Sequence, residues 1–421
     1  MLKKYVKNHD ELKRVVHLVA GGQLSCHYAA VMSGYCADYI RRMVKKFKIY
    51  GDSIFIHKLS GVKPVTTVPE NIKRQITDLY LSEYKGFNFS FFYDCLKELT
   101  DFPYCYKTVC KILTNNGICS PETRKITRSE LVHRPRRRAV SEGELLQADA
   151  TPFQWFLWNG DTAYYALHGS IDDATGKITA LYMCDNECYY GYTALLKLTN
   201  QKYKGFPAAF YTDRARIFFT PEQEKQKLSL EEQLNGVTKR QTQFQRMLSE
   251  LRIKQILAHS PQAKGRVERM WKTIQGRLPW YFKHYRIKTI EEANIFLREK
   301  FIDIYNTRFA HMPEIELSLW HNTDKDLRYT CSYRISRHIT NSGYFSFYNC
   351  HWKINRKHSA GINIELCITA DSIKAYYDGQ FYDVELLADS VDIEQTIAPR
   401  VLKNIIHDCM FSDAKQNCSV A

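Results

Sequence analysis

Along the first 130 residues, apolar positions recur every three or four residues, the period of helices that bury one face. The pattern is clearest from Leu24 to Phe47. Tyr28, Ala29, Ala30 and Met32 lead up to Ser33-Gly34, and Tyr35, Cys36, Ile40, Val44 and Phe47 follow it. This predicts helix, tight turn, helix. The second helix carries Arg41, Arg42, Lys45, Lys46 and Lys48. A helix-turn-helix presents such a basic, polar surface to a DNA groove, although a plain helical hairpin with a solvated basic face has the same pattern. A second candidate unit runs from Phe92 to Thr123, with Tyr106, Val109, Cys110 and Leu113 before an Asn116-Gly117 stop and a new start at Ser120-Pro121-Glu122.

After residue 141 the period changes. Strand patterns at Leu145–Phe156, Tyr164–Ile171 and Lys177–Met183 are followed by a helical run at Tyr190–Tyr203 and a buried strand at Pro207–Thr212. Gln243–Arg252 reads as helix, Ile253–Leu257 as a short strand, and Arg266 to about Tyr285 as one long helix. Thr289-Ile290-Glu291-Glu292 has the form of a capping box opening a helix that ends near Arg308. Three strands, a helix, a strand, a helix, a strand and further helices predict a mixed five-stranded sheet flanked by helices.

From 328 the chain is rich in short aromatic or β-branched runs: Tyr344–Phe347, Trp352–Ile354, Ile362–Ile368, Ile373–Tyr377 and Gln380–Leu386, with Asp378-Gly379 as a hairpin turn. A small all-β barrel or sandwich is expected. The multidomain layout is then an all-α helix-turn-helix region at 1–123, a basic linker at 124–140, a central α/β core at 141–310, a linker at 311–327, the β domain at 328–390 and a tail at 391–421.

Composition adds a partner. Sixty Lys and Arg against 45 Asp and Glu leave a net charge of +15, an excess that favours a polyanion. The segment His133-Arg134-Pro135-Arg136-Arg137-Arg138 has no apolar period, so Arg134, Arg136, Arg137 and Arg138 form an arm able to follow DNA phosphates. Thirteen cysteines without a CxxC motif fit a reduced intracellular protein better than a disulfide scaffold. No signal peptide and no long apolar span is read, so a cytoplasmic protein without a membrane partner is expected.

Three carboxylates stand where two strands and a helix can converge. Asp149 lies in the first core strand, Asp213 ends the buried fourth strand, and Glu268 opens the long helix. Hard divalent cations take oxygen ligands, and two such ions can clamp the attacking and leaving oxygens of a phosphoryl transfer. On that helix Val267, Trp271, Ile274 and Leu278 form the buried stripe, with Glu268, Lys272 and Gln275 beside it. Spacing alone favours a surface Glu268–Lys272 pair over a metal ligand.

The wider sequence changes that balance. Gln147-Ala148-Asp149, Trp155-Phe156, Ile171 through Gly176, Tyr211-Thr212-Asp213-Arg214 with Phe218, and His259 through Arg269 occur in order. Together they resemble the retroviral-integrase-type core of DDE transposases, and within that group the bacterial insertion-sequence transposases of the ISNCY type. The resemblance implies an RNase H-like core, a magnesium-dependent Asp149-Asp213-Glu268 site in which manganese can substitute, and cutting and joining of DNA at an element's terminal inverted repeats. It implies double-stranded repeat and target DNA as partners, a homo-oligomer on DNA, no organic cofactor, and work at the bacterial nucleoid. Lys264, Arg266 and Arg269 of the last motif, with Lys272, become candidate DNA contacts; Lys272 resembles the integrase lysine that meets viral DNA ends. Two departures stand out: the polar run Pro221–Arg240 lengthens the interval from Asp213 to Glu268, and Arg214 replaces the usual Asn.

Other acids read differently. Asp172 and Asp173 sit in a hairpin turn, and adjacent strand residues face opposite ways. Asp185 and Glu187, between Cys184 and Cys188, read as a strand-to-helix turn, Asp161 as a turn residue, and Cys331 with Cys350-His351 as lacking zinc spacing. Two alternatives stay open: an RNase H-like nuclease that only hydrolyses, and a domesticated copy that binds DNA without activity.

Overall fold

The structure, a computed structural model, describes residues 9–56, 67–121, 137–220, 241–258, 265–355, 361–387 and 397–411. The chain divides into two compact units, Met1–Leu79 and Tyr80–Ala421. Their boundary falls inside the region 1–123.

In the first unit, α1 (His9–Ala20), α2 (Cys26–Ser33) and α3 (Ala37–Tyr50) pack around Leu12, Val15, Val16, Ala29, Ile40 and Met43. Ser25 caps α2 by accepting from the Tyr28 amide at 3.3 Å. Gly34 ends it at φ 74°, a left-handed conformation that glycine adopts without cost. Two helices joined by a short turn at Gly34 thus stand at the predicted place. Helix α4 (Glu70–Glu83) runs across the boundary between the units.

The second unit opens with α5 (Phe89–Leu99) and α6 (Tyr106–Asn115). Its central sheet has the order β3-β2-β1-β4-β5, built from β1 (Leu145–Phe153), β2 (Tyr165–Asp172), β3 (Ile178–Cys184), β4 (Ala209–Thr212) and β5 (Lys254–Leu257). β1, β2 and β3 are antiparallel, and β4 and β5 run parallel to β1. This is the mixed five-stranded sheet expected. Helix α7 (Tyr189–Tyr203) crosses from β3 to β4, and α8 (Gln243–Glu250) precedes β5. Leu146, Ala148 and Phe210 on one face meet Tyr192, Leu195, Phe218 and Phe244 in a continuous core.

The predicted long helix is two. α9 (Gly265–Gln275) stops at Gly276, and α10 (Leu278–His284) begins with a proline in its first turn. Gly276 is a poor helix former, and Pro279 gives up no intrahelical bond at such a start. The Thr289 capping box is present and opens α11 (Ile290–Phe296), which continues through a π-helical turn at Leu297–Phe301 into α12 (Ile302–Phe309). Tyr84, just past α4, and Phe91 of α5 lie 5.0 and 5.5 Å from the Trp280 ring, and Asp94, inside the second candidate unit, pairs with Arg277 at 2.8 Å.

A short α13 (Leu327–Thr330) leads into a six-stranded antiparallel sheet of order β6-β9-β10-β11-β8-β7. Its strands are β6 (Tyr333–His338), β7 (Tyr344–Phe347), β8 (Cys350–Ile354), β9 (Asn363–Ile368), β10 (Ile373–Tyr377) and β11 (Gln380–Leu387). β6 and β7 approach each other, so the sheet nearly closes into a barrel. The sequence pattern missed β6 and also α14 (Ile397–Met410), whose Ile405, Ile406, Cys409 and Met410 join the core. Among the described residues no helix is long and apolar enough to cross a membrane.

Candidate active site

Alternation along β1 puts Gln147, Asp149 and Thr151 on one face of the sheet. Helix α9 lies along that face in matching steps of four residues. The Val267 amide donates to Gln147 Oε1 at 3.4 Å, Trp271 Nε1 to Asp149 Oδ2 at 3.2 Å, and Gln275 Nε2 to Thr151 Oγ1 at 2.9 Å. The close approach requires Gly169, which pairs with Asp149 across β2. A Cβ there would stand 2.6 Å from the Trp271 ring and 3.0 Å from Met270 Cε.

Asp213 directly follows the last residue of β4. Gln147 pairs with Tyr211 as the last step of the parallel β1–β4 ladder, and Asp149 and Asp213 each follow two residues later. Asp213 Oδ1 also accepts from the Ala215 amide at 2.8 Å, which turns the chain away after the strand. Both aspartates are half-buried. Glu268 stands on the exposed side of the first turn of α9, and Lys272 one turn later is exposed as well. The oxygen donors suit a hard divalent cation in kind. Yet among the described residues no three His, Cys, Asp or Glu side chains are gathered closely enough to hold one. The structure thus sets Asp149 and Asp213 each two residues past the last β1–β4 pair and lays the helix of Glu268 over Asp149, without closing the three into a ligand set.

Two residues gain importance that the sequence reading did not give them. Trp271, read as part of the buried stripe, also orients Asp149 through its indole N–H. Glu187, read as a turn residue, accepts from the Tyr192 hydroxyl at 2.6 Å. Its carboxyl is raised by burial and by the charges of Asp213 and Asp149, against the lowering effect of Tyr192 and His168. The Tyr192 phenol is raised by burial and by Glu187 and Asp149. Glu187 therefore lies within electrostatic reach of both aspartates. Nothing in its sequence spacing announces this, because the strand-to-helix turn is brought there by tertiary packing.

Asp172 and Asp173 have structural work. Asp172 accepts from the Gly143 amide at 2.9 Å and from the Thr175 amide and hydroxyl at 2.8 Å each. Asp173 accepts from the Ala139 amide and Gln147 Nε2, both at 2.8 Å, and pairs with Arg266 at 3.2 Å. The turn predicted there is present, and both acids are fully buried in it.

Of the candidate DNA contacts, Arg41, Arg42, Lys45 and Lys46 lie on the exposed side of α3, opposite Ile40 and Met43. Arg41 pairs with Asp38, and the Arg42 guanidinium lies 6.0 Å from the Tyr39 ring. Arg137, Arg138 and Arg269 are exposed, whereas Arg266 is half-buried. Arg134, Arg136 and Lys264 lie outside the described residues, as do residues 259–264 of the motif from His259 to Arg269.

No family model matches the chain. Two curated relatives do. The protein y4bF of Sinorhizobium fredii, which bears the name of a transposase, is 29% identical over 299 residues, 71% of this chain and 62% of its own length. The transposase for insertion sequence IS1202 of Streptococcus pneumoniae is 29% identical over 343 residues, 74% of this chain and 70% of its own. The chain thus spans less than two thirds of the first relative. A simian T-cell lymphotropic virus intasome, solved with PP2A regulatory subunit B56 gamma, matches 73% of this chain and 95% of its own at 15% identity and a TM-score of 0.30. Both curated relatives bear the name of a transposase, in line with the likeness that the motifs carry.

Proposed function

We propose that this chain is the transposase of a bacterial insertion sequence, binding the element's terminal inverted repeats and cutting and joining DNA at Asp149, Asp213 and Glu268. The observation that carries this reading is the β1–β4 register, with Asp149 and Asp213 each two residues past its last pair and the helix of Glu268 over Asp149. The two transposase relatives supply the reaction class.

In this reading the core is of the RNase H-like integrase type, and the three carboxylates hold magnesium, or manganese in its place. The bound ions would supply charge neutralisation for an in-line phosphoryl transfer. The chain's own groups set the geometry. Trp271 holds the Asp149 carboxylate in one orientation, and Gln147 fixes the start of α9. Lys272 lies where a phosphate beside Glu268 would meet it. Helix α3 reads repeat DNA through Arg41, Arg42, Lys45 and Lys46. Two ends must be joined together, so a dimer or larger assembly forms on the DNA, in the bacterial cytoplasm.

The test is joining of a labelled terminal-repeat oligonucleotide to plasmid DNA with magnesium. Wild type should give product and Glu268→Gln none. Equal product from both refutes the site, and cut but never joined ends favour hydrolysis alone. That second reading has one observation behind it, the half-buried Glu187, whose carboxyl feels the charges of Asp213 and Asp149. It adds a fourth carboxylate, as hydrolytic nucleases with this kind of sheet carry.

A further inference from the structure

On α9, Arg266, Arg269, Met270 and Thr273 follow one another at i, i+3, i+4 and i+7, and so share a stripe that excludes Glu268 and Lys272. This stripe forms one wall of a cavity of about 300 Å³. The end of the basic arm supplies Arg138, the β2–β3 turn supplies Gly176, and His311 follows α12. His311 is fixed there by its amide, which donates to the Thr175 carbonyl at 2.9 Å. Arg138 Nη1 lies 3.4 Å from His311 Nε2.

The charges around this cavity are incompletely balanced. Arg266 pairs through Nε with Asp173 at 3.2 Å. Its Nη2 is buried without a hydrogen-bond partner among the described residues, a costly state for a cationic donor. His311 is lowered by burial and then by Arg266 and Arg138. Gly176, at φ 69°, leaves the floor open: a Cβ would come within 3.2 Å of His311 and 3.3 Å of Arg266.

We propose that this cavity holds one phosphodiester of a DNA backbone, bound by Arg138, Arg266 and Arg269 with His311. The inference rests on the reading that the chain acts on DNA, and adds to it a phosphate site on a different stripe of α9 from Glu268. An anion there would give Arg266 Nη2 its acceptor and relieve the repulsion among three guanidinium groups.

The test uses the full chain and a mixed-sequence DNA duplex, because phosphate contacts are independent of sequence. Thr273→Glu places a carboxylate in the cavity, and Thr273→Gln adds the same bulk without charge. The Glu variant should bind the duplex about tenfold more weakly at low salt and flatten the plot of log affinity against log salt by about 0.9, the value for one lost phosphate. It should also melt higher than the Gln variant, which should bind like wild type. Arg269→Ala should flatten the slope as Thr273→Glu does. If the Glu and Gln variants bind DNA alike, the site is refuted, even where Glu268→Gln still abolishes joining. If wild type binds no duplex but is stabilised by inorganic phosphate, and Thr273→Glu removes that stabilisation, the cavity takes a free anion and the DNA assignment falls.

Discussion

Two pairs of aspartates lie on neighbouring strands of one sheet and have opposite characters. Asp172 and Asp173, where β2 ends, are completely buried, and amides, hydroxyls and an arginine surround their oxygens. Asp149, midway along β1, and Asp213, just past β4, are half-exposed; Asp149 accepts from the Trp271 indole and Asp213 from the Ala215 amide. Acids that hold a fold together are saturated by the fold. Acids meant for a ligand are positioned by it and left room. Adjacent position in sequence therefore misleads: the neighbours Asp172 and Asp173 are structural, while the candidate pair is assembled from residues far apart.

Exchanging each kind of acid should separate the roles most strongly. Asp213→Asn should lower strand joining by about a thousandfold or more and leave the melting temperature near that of wild type. Asp173→Ala should do the reverse. It strands Arg266 and two hydrogen-bond donors in the interior, which typically costs about 3–5 kcal/mol, and joining by its folded fraction, at saturating DNA, should stay far above that of Asp213→Asn. Joining assays beside thermal denaturation would check both. A destabilised Asp213→Asn, or an inactive but fully stable Asp173→Ala, would erase the distinction.

Gly169→Ala tests the positioning itself at smaller cost. The added methyl meets the Trp271 ring at 2.6 Å, so α9 must lift. Overpacking of this kind typically costs about 1–3 kcal/mol. Joining should fall further than stability does, because Asp149 loses its indole partner and Glu268 moves with the helix. Activity that tracks the folded fraction alone would mean that α9 is not held to the site through Trp271.

Much of this arrangement was legible in the sequence where local chemistry decided it. The Thr289 box and the Asp378-Gly379 turn, with φ values of 48° and 76°, formed as their residue types dictate. Strand alternation placed Asp149 and Asp213 correctly on β1 and at the end of β4. What was hidden depends on partners distant in sequence. β6 looked too polar for a strand, but its Arg334 is buried against Glu250 of α8 and over the Tyr329 ring at 4.1 Å. α14 carries a plain apolar stripe, with Ile405, Ile406, Cys409 and Met410 in the core, and was missed although its pattern was in the residues. The break at Gly276 was present in the residues, yet the continuing apolar stripe outweighed it.

Glu187 is the acid that belongs to neither class, and it yields the subtlest prediction. It is half-buried, unlike the fully buried Asp173, and its carboxyl is raised by desolvation and by the charges of Asp213 and Asp149. The folded chain thus holds this proton more tightly than the unfolded chain. Its favourable contribution is complete below the unfolded glutamate value of about 4.3 and is lost as pH climbs through the raised value. Glutamine keeps an acceptor for the Tyr192 hydroxyl and has no proton to lose. Without divalent metal, Glu187→Gln should therefore melt higher than wild type at pH 8, and the difference should close by pH 4. If wild type were the more stable at pH 8, Glu187 would be acting as a satisfied structural acid, and the boundary between the two classes would have to move to include it with Asp172 and Asp173.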